Sequence, residues 1–144
     1  MLFSLILAAA AIAGSPAAEA RPVTEAGAPL AGPAIVVLWA SWCASCKAEV
    51  QRLPRLAAAA APLPIRTLAI DPADVARKLL IERSMPLEGA YADARPPRAV
   101  LDGWGGAGSA LPIAVALDAK GQVCGRKLGL LGTDQLRDWA ARCR

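Results

Sequence analysis

Two cysteines three positions apart, framed by an apolar run and a helix-forming run, constrain this chain more than any other feature. Residues 34–39, Ala-Ile-Val-Val-Leu-Trp, contain no polar side chain. Trp39-Ala40-Ser41-Trp42-Cys43-Ala44-Ser45-Cys46-Lys47 follows, and residues 47–60 are rich in helix formers. The spacing predicts a strand, a tight turn carrying two thiols, and a helix. Unpaired N–H groups and the partial positive charge at the helix start favour a thiolate on Cys43. A thiolate attacks disulfides and a thiol does so poorly. The stretch therefore reads as a redox site, and the strand and helix on either side make the C-x-x-C signal specific.

Two plainer readings stand beside it. A structural zinc site needs four ligands, and this chain has no histidine. The remaining cysteines, Cys124 and Cys143, are too far apart in sequence to form a second knuckle. A permanent disulfide is the other reading, but so small a ring is a weak staple. Zero histidine also removes Cys-His and Ser-His catalysis and histidine metal sites. No metal site is expected.

The chain has 144 residues, enough for one domain. Its net charge of +4 is scattered over residues such as Arg77, Arg98, Arg126 and Arg137. No dense basic stripe with interleaved aromatics appears, so nucleic-acid binding is not expected.

Residues 1–20 read as a separate object. Residues 2–13 form an apolar run of secretory type, shorter than a membrane span. Ala18-Glu19-Ala20 fits a small-x-small cleavage pattern, with Ser15-Pro16-Ala17 as a competitor. Residues before the apolar run include no Lys or Arg. The expectation is a signal peptide or an uncleaved N-terminal anchor. Either places the domain outside the cytoplasm, in the periplasm of a bacterium, where disulfides persist. Residues 21–32, rich in Pro, Ala and Gly, read as a linker, and residues 33–144 as the domain.

Within it, residues 34–39 should be a strand buried on both faces. The helix after Cys43 carries Pro54 and should kink there. Residues 65–70 read as a second buried strand. Asp71 with Pro72 reads as the N-cap and first position of a helix reaching about residue 83. Residues 84–110 are less legible, with short extended pieces at 85–87 and 90–92, helical turns at 98–101 and a glycine-rich loop at 103–108. Trp104 in that loop should fold back onto the core, or else touch a partner. Residues 110–117 form a strand, 118–121 a turn with Gly121 at positive φ, and 122–128 a second strand of a hairpin. Thr133 caps a last helix, with Leu136, Trp139, Ala140 and Cys143 on one face. Alternating strands and helices argue for an α/β sheet with parallel neighbours.

This order, with C-x-x-C opening the first helix, resembles the thioredoxin-like fold: a central mixed sheet flanked by helices. More narrowly it is similar to the TlpA/ResA-like group of extracytoplasmic thiol–disulfide oxidoreductases. The matches are Trp39-Ala40-x-Trp42-Cys43-x-x-Cys46-Lys47, Glu49 three residues after the second cysteine, and Leu111-Pro112 before a strand with Asp118-x-x-Gly121 after it. The sequence also departs from relatives. Val37 stands where ordinary thioredoxins bury an aspartate, Ala44-Ser45 replaces Gly-Pro or Glu-Pro, and Ile113 replaces the threonine after the proline.

Roles follow from position. Cys43 should attack and Cys46, one turn further in, should resolve. Glu49 shares the side of the helix that carries Cys46 and could take and return its proton. Pro112, expected cis, leaves a backbone edge with which a substrate cysteine peptide can pair, beside Leu111 and Trp42. Cys124 and Cys143 are either a structural disulfide or two buried thiols. The expectation is a periplasmic thiol–disulfide oxidoreductase, a monomer without organic cofactor. The resemblance implies a disulfide reductase that acts on protein cysteines, and a membrane electron donor would have to supply it. The alternatives are a thiol oxidase of the same fold and a Cu(I)-binding metallochaperone.

Overall fold

The computed structural model describes residues 14–106 and 110–144. The apolar run at residues 2–13 and positions 107–108 of the glycine-rich loop lie outside them. Six strands and four α-helices follow in the order β1 (Arg21–Pro22), β2 (Ala34–Trp39), α1 (Ala44–Ala60), β3 (Ile65–Ala69), α2 (Ala73–Glu82), β4 (Ala90–Ala92), α3 (Pro97–Gly103), β5 (Ile113–Leu117), β6 (Val123–Leu128) and α4 (Thr133–Arg142).

The strands form one mixed sheet, ordered β1-β4-β3-β2-β5-β6. β2, β3 and β4 are parallel, while β1, β5 and β6 run antiparallel to their neighbours. β2 is central, and all six of its residues are buried, as its unbroken apolar run requires. The steps from β2 to β3 to β4 go the same way across the sheet. Right-handed crossovers then put α1 and α2 on one face. The packing agrees, since Val50 of α1 and Leu80 of α2 share a cluster with Trp39 and Cys46. α4 joins that face through Leu136 and Trp139, packed on Ile35, Val37 and Leu53. α3 covers the other face, where Val100, Leu101 and Trp104 meet Val36, Leu38 and Val115. Trp104 is fully buried, so of its two expected roles the structure takes the one on the core.

α1 runs as one element through Pro54, whose ring is exposed. Two helix caps differ from expectation. α2 starts after Pro72 with no side-chain cap, so Asp71 is not its N-cap. Gly132, not Thr133, occupies the N-cap position of α4. At the β5–β6 turn, Asp118 Oδ1 accepts from the N–H groups of Lys120 and Gln122, and Gly121 adopts φ +74°.

The largest change is at the N-terminus. Residues 21–32, expected as a linker, supply the edge strand β1 and bury Val23 and Leu30. Before them, Pro16–Glu19 form a 3₁₀ turn, Ala17 and Ala20 are buried in the core, and Ser15 Oγ donates to Gly121 O at 3.1 Å. Among the described residues, the packing therefore reaches back past the expected boundary at Pro33 to Ser15. Both small-x-small patterns, ending at Ala17 and Ala20, fall inside this packed segment. A two-residue strand and a short turn carry no periodicity that a sequence reading detects.

Candidate active site

Topology gathers the candidate residues at one end of the sheet. Parallel β2, β3 and β4 end there, at Trp39, Ala69 and Ala92. Antiparallel β5 starts there and β6 finishes there, because Ile113 pairs with both Leu38 and Leu128. Cys43, Asp71, Asp93, Pro112 and residues 128–131 thus share one rim.

At its centre, Cys43 and Cys46 are joined as a disulfide with Cα atoms 5.2 Å apart. Cys43 is itself the N-cap of α1, and its sulfur accepts from Cys46 N at 3.3 Å. This is the contact through which a helix N-terminus favours a thiolate. Ser45 Oγ lies 3.5 Å from the same sulfur. Cys43 is half-buried and Cys46 fully buried, so an incoming molecule meets Cys43 first.

Exposed apolar side chains stand along this rim: Trp42, next to Cys43 in the chain, is 60% exposed, and Leu128 and Leu130, on either side of Gly129, are 60% and 55% exposed. The Leu111–Pro112 peptide bond is cis. Pro112 is buried and Leu111 half-buried, packing where Cys43 packs. Gly129 N donates to Pro112 O at 2.9 Å, which ties the loop after β6 to the start of β5. Leu128 and Leu130 were missed by sequence reasoning; only the register of the hairpin brings them here.

Glu49 is fully buried on α1, and both carboxylate oxygens are engaged. Oε1 accepts from Leu131 N at 2.8 Å, and Oε2 accepts from Arg52 Nε. Arg52 also donates to Leu131 O. The structure thus brings Glu49 to Arg52 and Leu131. After β4, buried Asp93 holds Arg95 through paired hydrogen bonds, the shortest 2.7 Å, and these raise the Arg95 guanidinium above its ordinary range.

Cys124 and Cys143 are disulfide-bonded with Cα atoms 5.8 Å apart, so the two-thiol alternative does not describe this structure. The bond ties β6 to the end of α4, on the face that carries α1. Among the described residues, no helix is long and apolar enough to cross a membrane.

The sheet order, the flanking helices and the Cys43–Cys46 pair at the start of α1 define a thioredoxin-like fold. No protein-family model matches the sequence, and comparison with curated proteins gives no match either. Solved structures do match. A thio-disulfide isomerase from Thermus thermophilus is 25% identical, with a TM-score of 0.58 over 79% of this chain and 82% of that one. StoA from Bacillus subtilis is 19% identical, with a TM-score of 0.59 over 77% and 84%. A secreted thiol-disulfide isomerase from Corynebacterium glutamicum is 23% identical, with a TM-score of 0.54 over 75% and 69%.

Proposed function

We propose that this protein is a thiol–disulfide oxidoreductase that exchanges disulfides with protein cysteines. The observation that carries the reading is the pairing of an accessible sulfur at a helix N-terminus with a fully buried one a turn behind it. In the reducing direction the Cys43 thiolate attacks a substrate disulfide. One substrate sulfur leaves as a thiolate and takes a proton from water, and Cys43 is left in a mixed disulfide. Cys46 loses its proton and attacks Cys43 Sγ. That step releases the second substrate thiolate and forms the Cys43–Cys46 disulfide. The substrate is reduced by two electrons and the protein is oxidised by two.

Trp42, Leu111, Leu128 and Leu130 offer an apolar rim to residues flanking the substrate cysteine. Pro112 has no N–H of its own, so the backbone beside it is open to an extended peptide. Glu49, engaged by Arg52 and Leu131, holds the helix behind Cys46. We assign the protein to the reducing direction, because Ala44-Ser45 adds no positive charge to stabilise the thiolate further. In this reading a membrane dithiol donor recharges the pair. The Cys124–Cys143 disulfide fits an oxidising compartment such as the periplasm.

The test is the equilibrium of the Cys43–Cys46 pair in glutathione or dithiothreitol buffers, read by tryptophan fluorescence, beside an insulin-reduction assay. A reduction potential near about −270 mV with insulin reduction supports a reductase. A potential near about −120 mV makes the protein an oxidant and overturns the direction. Failure to exchange with either partner overturns the function, and tight stoichiometric Cu(I) binding in that case favours a metallochaperone.

A further inference from the structure

Asp71 stands where the sequence predicts a helix cap, yet it caps nothing. Its carboxylate turns to the neighbouring strand end. Oδ2 accepts from Ser41 N at 2.8 Å and Oδ1 accepts from Ser41 Oγ at 2.7 Å. Asp71 is buried, with 7% of its surface exposed. Ser41 lies inside the short turn that links β2 to Cys43, closed by the bond from Cys43 N to Ala40 O at 3.1 Å. A further bond, Ile70 N to Trp39 O at 2.9 Å, fixes the end of β3 against the end of β2. Asp71 thus sits directly after the fixed end of β3 and holds the turn by two hydrogen bonds to a charged acceptor, stronger than neutral ones.

We propose that Asp71 is a positioning residue for the redox pair, acting through Ser41 to fix where Cys43 Sγ sits against the first turn of α1. The proposal rests on the reading of Cys43 and Cys46 as an exchange site. Stabilisation of a charge by a helix N-terminus falls off within a turn. The contact from Cys46 N to Cys43 Sγ is 3.3 Å, so a turn free to swing loses part of it. The carboxylate itself has the opposite effect on a nearby thiolate, because like charges repel. Geometry and charge therefore predict different outcomes when Asp71 is changed.

The experiment is the alkylation rate of reduced Cys43 by iodoacetamide at neutral pH in the full chain, with folding checked by circular dichroism. It compares Asp71→Ala, Asp71→Asn and Ser41→Ala with the parent protein. Asp71→Asn keeps both bonds, its oxygen accepting from Ser41 N and its amide donating to Ser41 Oγ, and it removes only the charge. The expected result is a rate lowered about twofold to fivefold in Asp71→Ala, the size of a helix-terminus contribution. Asp71→Asn should match or exceed the parent rate, and Ser41→Ala should fall between the parent and Asp71→Ala. A folded Asp71→Ala that alkylates as fast as the parent, or faster, overturns the proposal. If Asp71→Ala does not fold, Ser41→Ala decides: a slowed rate supports positioning and an unchanged rate overturns it. Alkylation needs no protein substrate. An enzyme that never reduces insulin would sink the functional reading while leaving this result to stand by itself.

Discussion

Leu131 N donates a 2.8 Å hydrogen bond to Glu49 Oε1, joining residues 82 positions apart inside the core. Arg52 closes the triangle by donating to Glu49 Oε2 and to Leu131 O. The network ties α1, one turn beyond Cys46, to the loop whose Gly129 bonds Pro112. The helix that carries the thiols and the loop that borders them are therefore fixed to each other.

Glu49→Ala should destabilise the oxidised protein by about 2–4 kcal/mol, because it leaves the Leu131 N–H without its acceptor and the half-buried Arg52 guanidinium without its carboxylate partner. Glu49→Gln keeps the shape and should cost less, about 1–2 kcal/mol. Urea unfolding of the two variants checks both values. A Glu49→Gln protein of parental stability but slow exchange, with a displaced pH profile, would instead assign Glu49 to proton transfer.

The Cys124–Cys143 disulfide closes a loop of sequence separation 19. Replacing both cysteines with alanine should cost about 3 kcal/mol, the chain-entropy value for a loop of this length. The bond lies on the helical face rather than on the rim, so the rate of insulin reduction should stay within about twofold of the parent where both proteins are folded. Denaturation and kinetics on one preparation test the two statements together.

Residues 15–20 should behave as part of the folded unit. A chain starting at Arg21 loses the Ser15 bond to Gly121 and the burial of Ala17 and Ala20. Compared with a chain starting at Gly14, it should be less stable by about 1–3 kcal/mol. Equal stability of the two chains would contradict the packing described for this segment.

The sequence made the redox stretch, the α/β alternation, the hairpin and the apolar face of α4 legible, because each rests on a local pattern. Residues 34–39 are apolar without interruption, and Leu136, Trp139 and Ala140 recur at helical spacing. What it hid depends on partners distant in sequence. Asp71 before Pro72 is a sound cap signal, but Ser41, 30 residues away, offers two donors and takes the carboxylate. Glu49 reads as sharing a helix side with Cys46, whereas the Arg52 side chain and the Leu131 N–H that engage its carboxylate are not read there. β1 is two residues long, too short to show a period, whereas the extended piece read at 90–92 and the helical turns read at 98–101 are β4 and part of α3. Leu128 and Leu130 read as ordinary strand and loop residues until the register sets them beside Pro112.

The most direct test of the central claim is to trap the mixed disulfide. A Cys46→Ser protein, reduced and mixed with disulfide-bonded insulin, should accumulate a covalent adduct through Cys43 because the resolving thiol is gone. The reciprocal Cys43→Ser protein should accumulate little, since Cys46 is buried. Mass spectrometry of the digested adduct identifies the cysteine. An adduct through Cys43 in the first protein alone is the predicted result. No adduct in either, or an adduct through Cys46 as abundant as that through Cys43, would contradict the account.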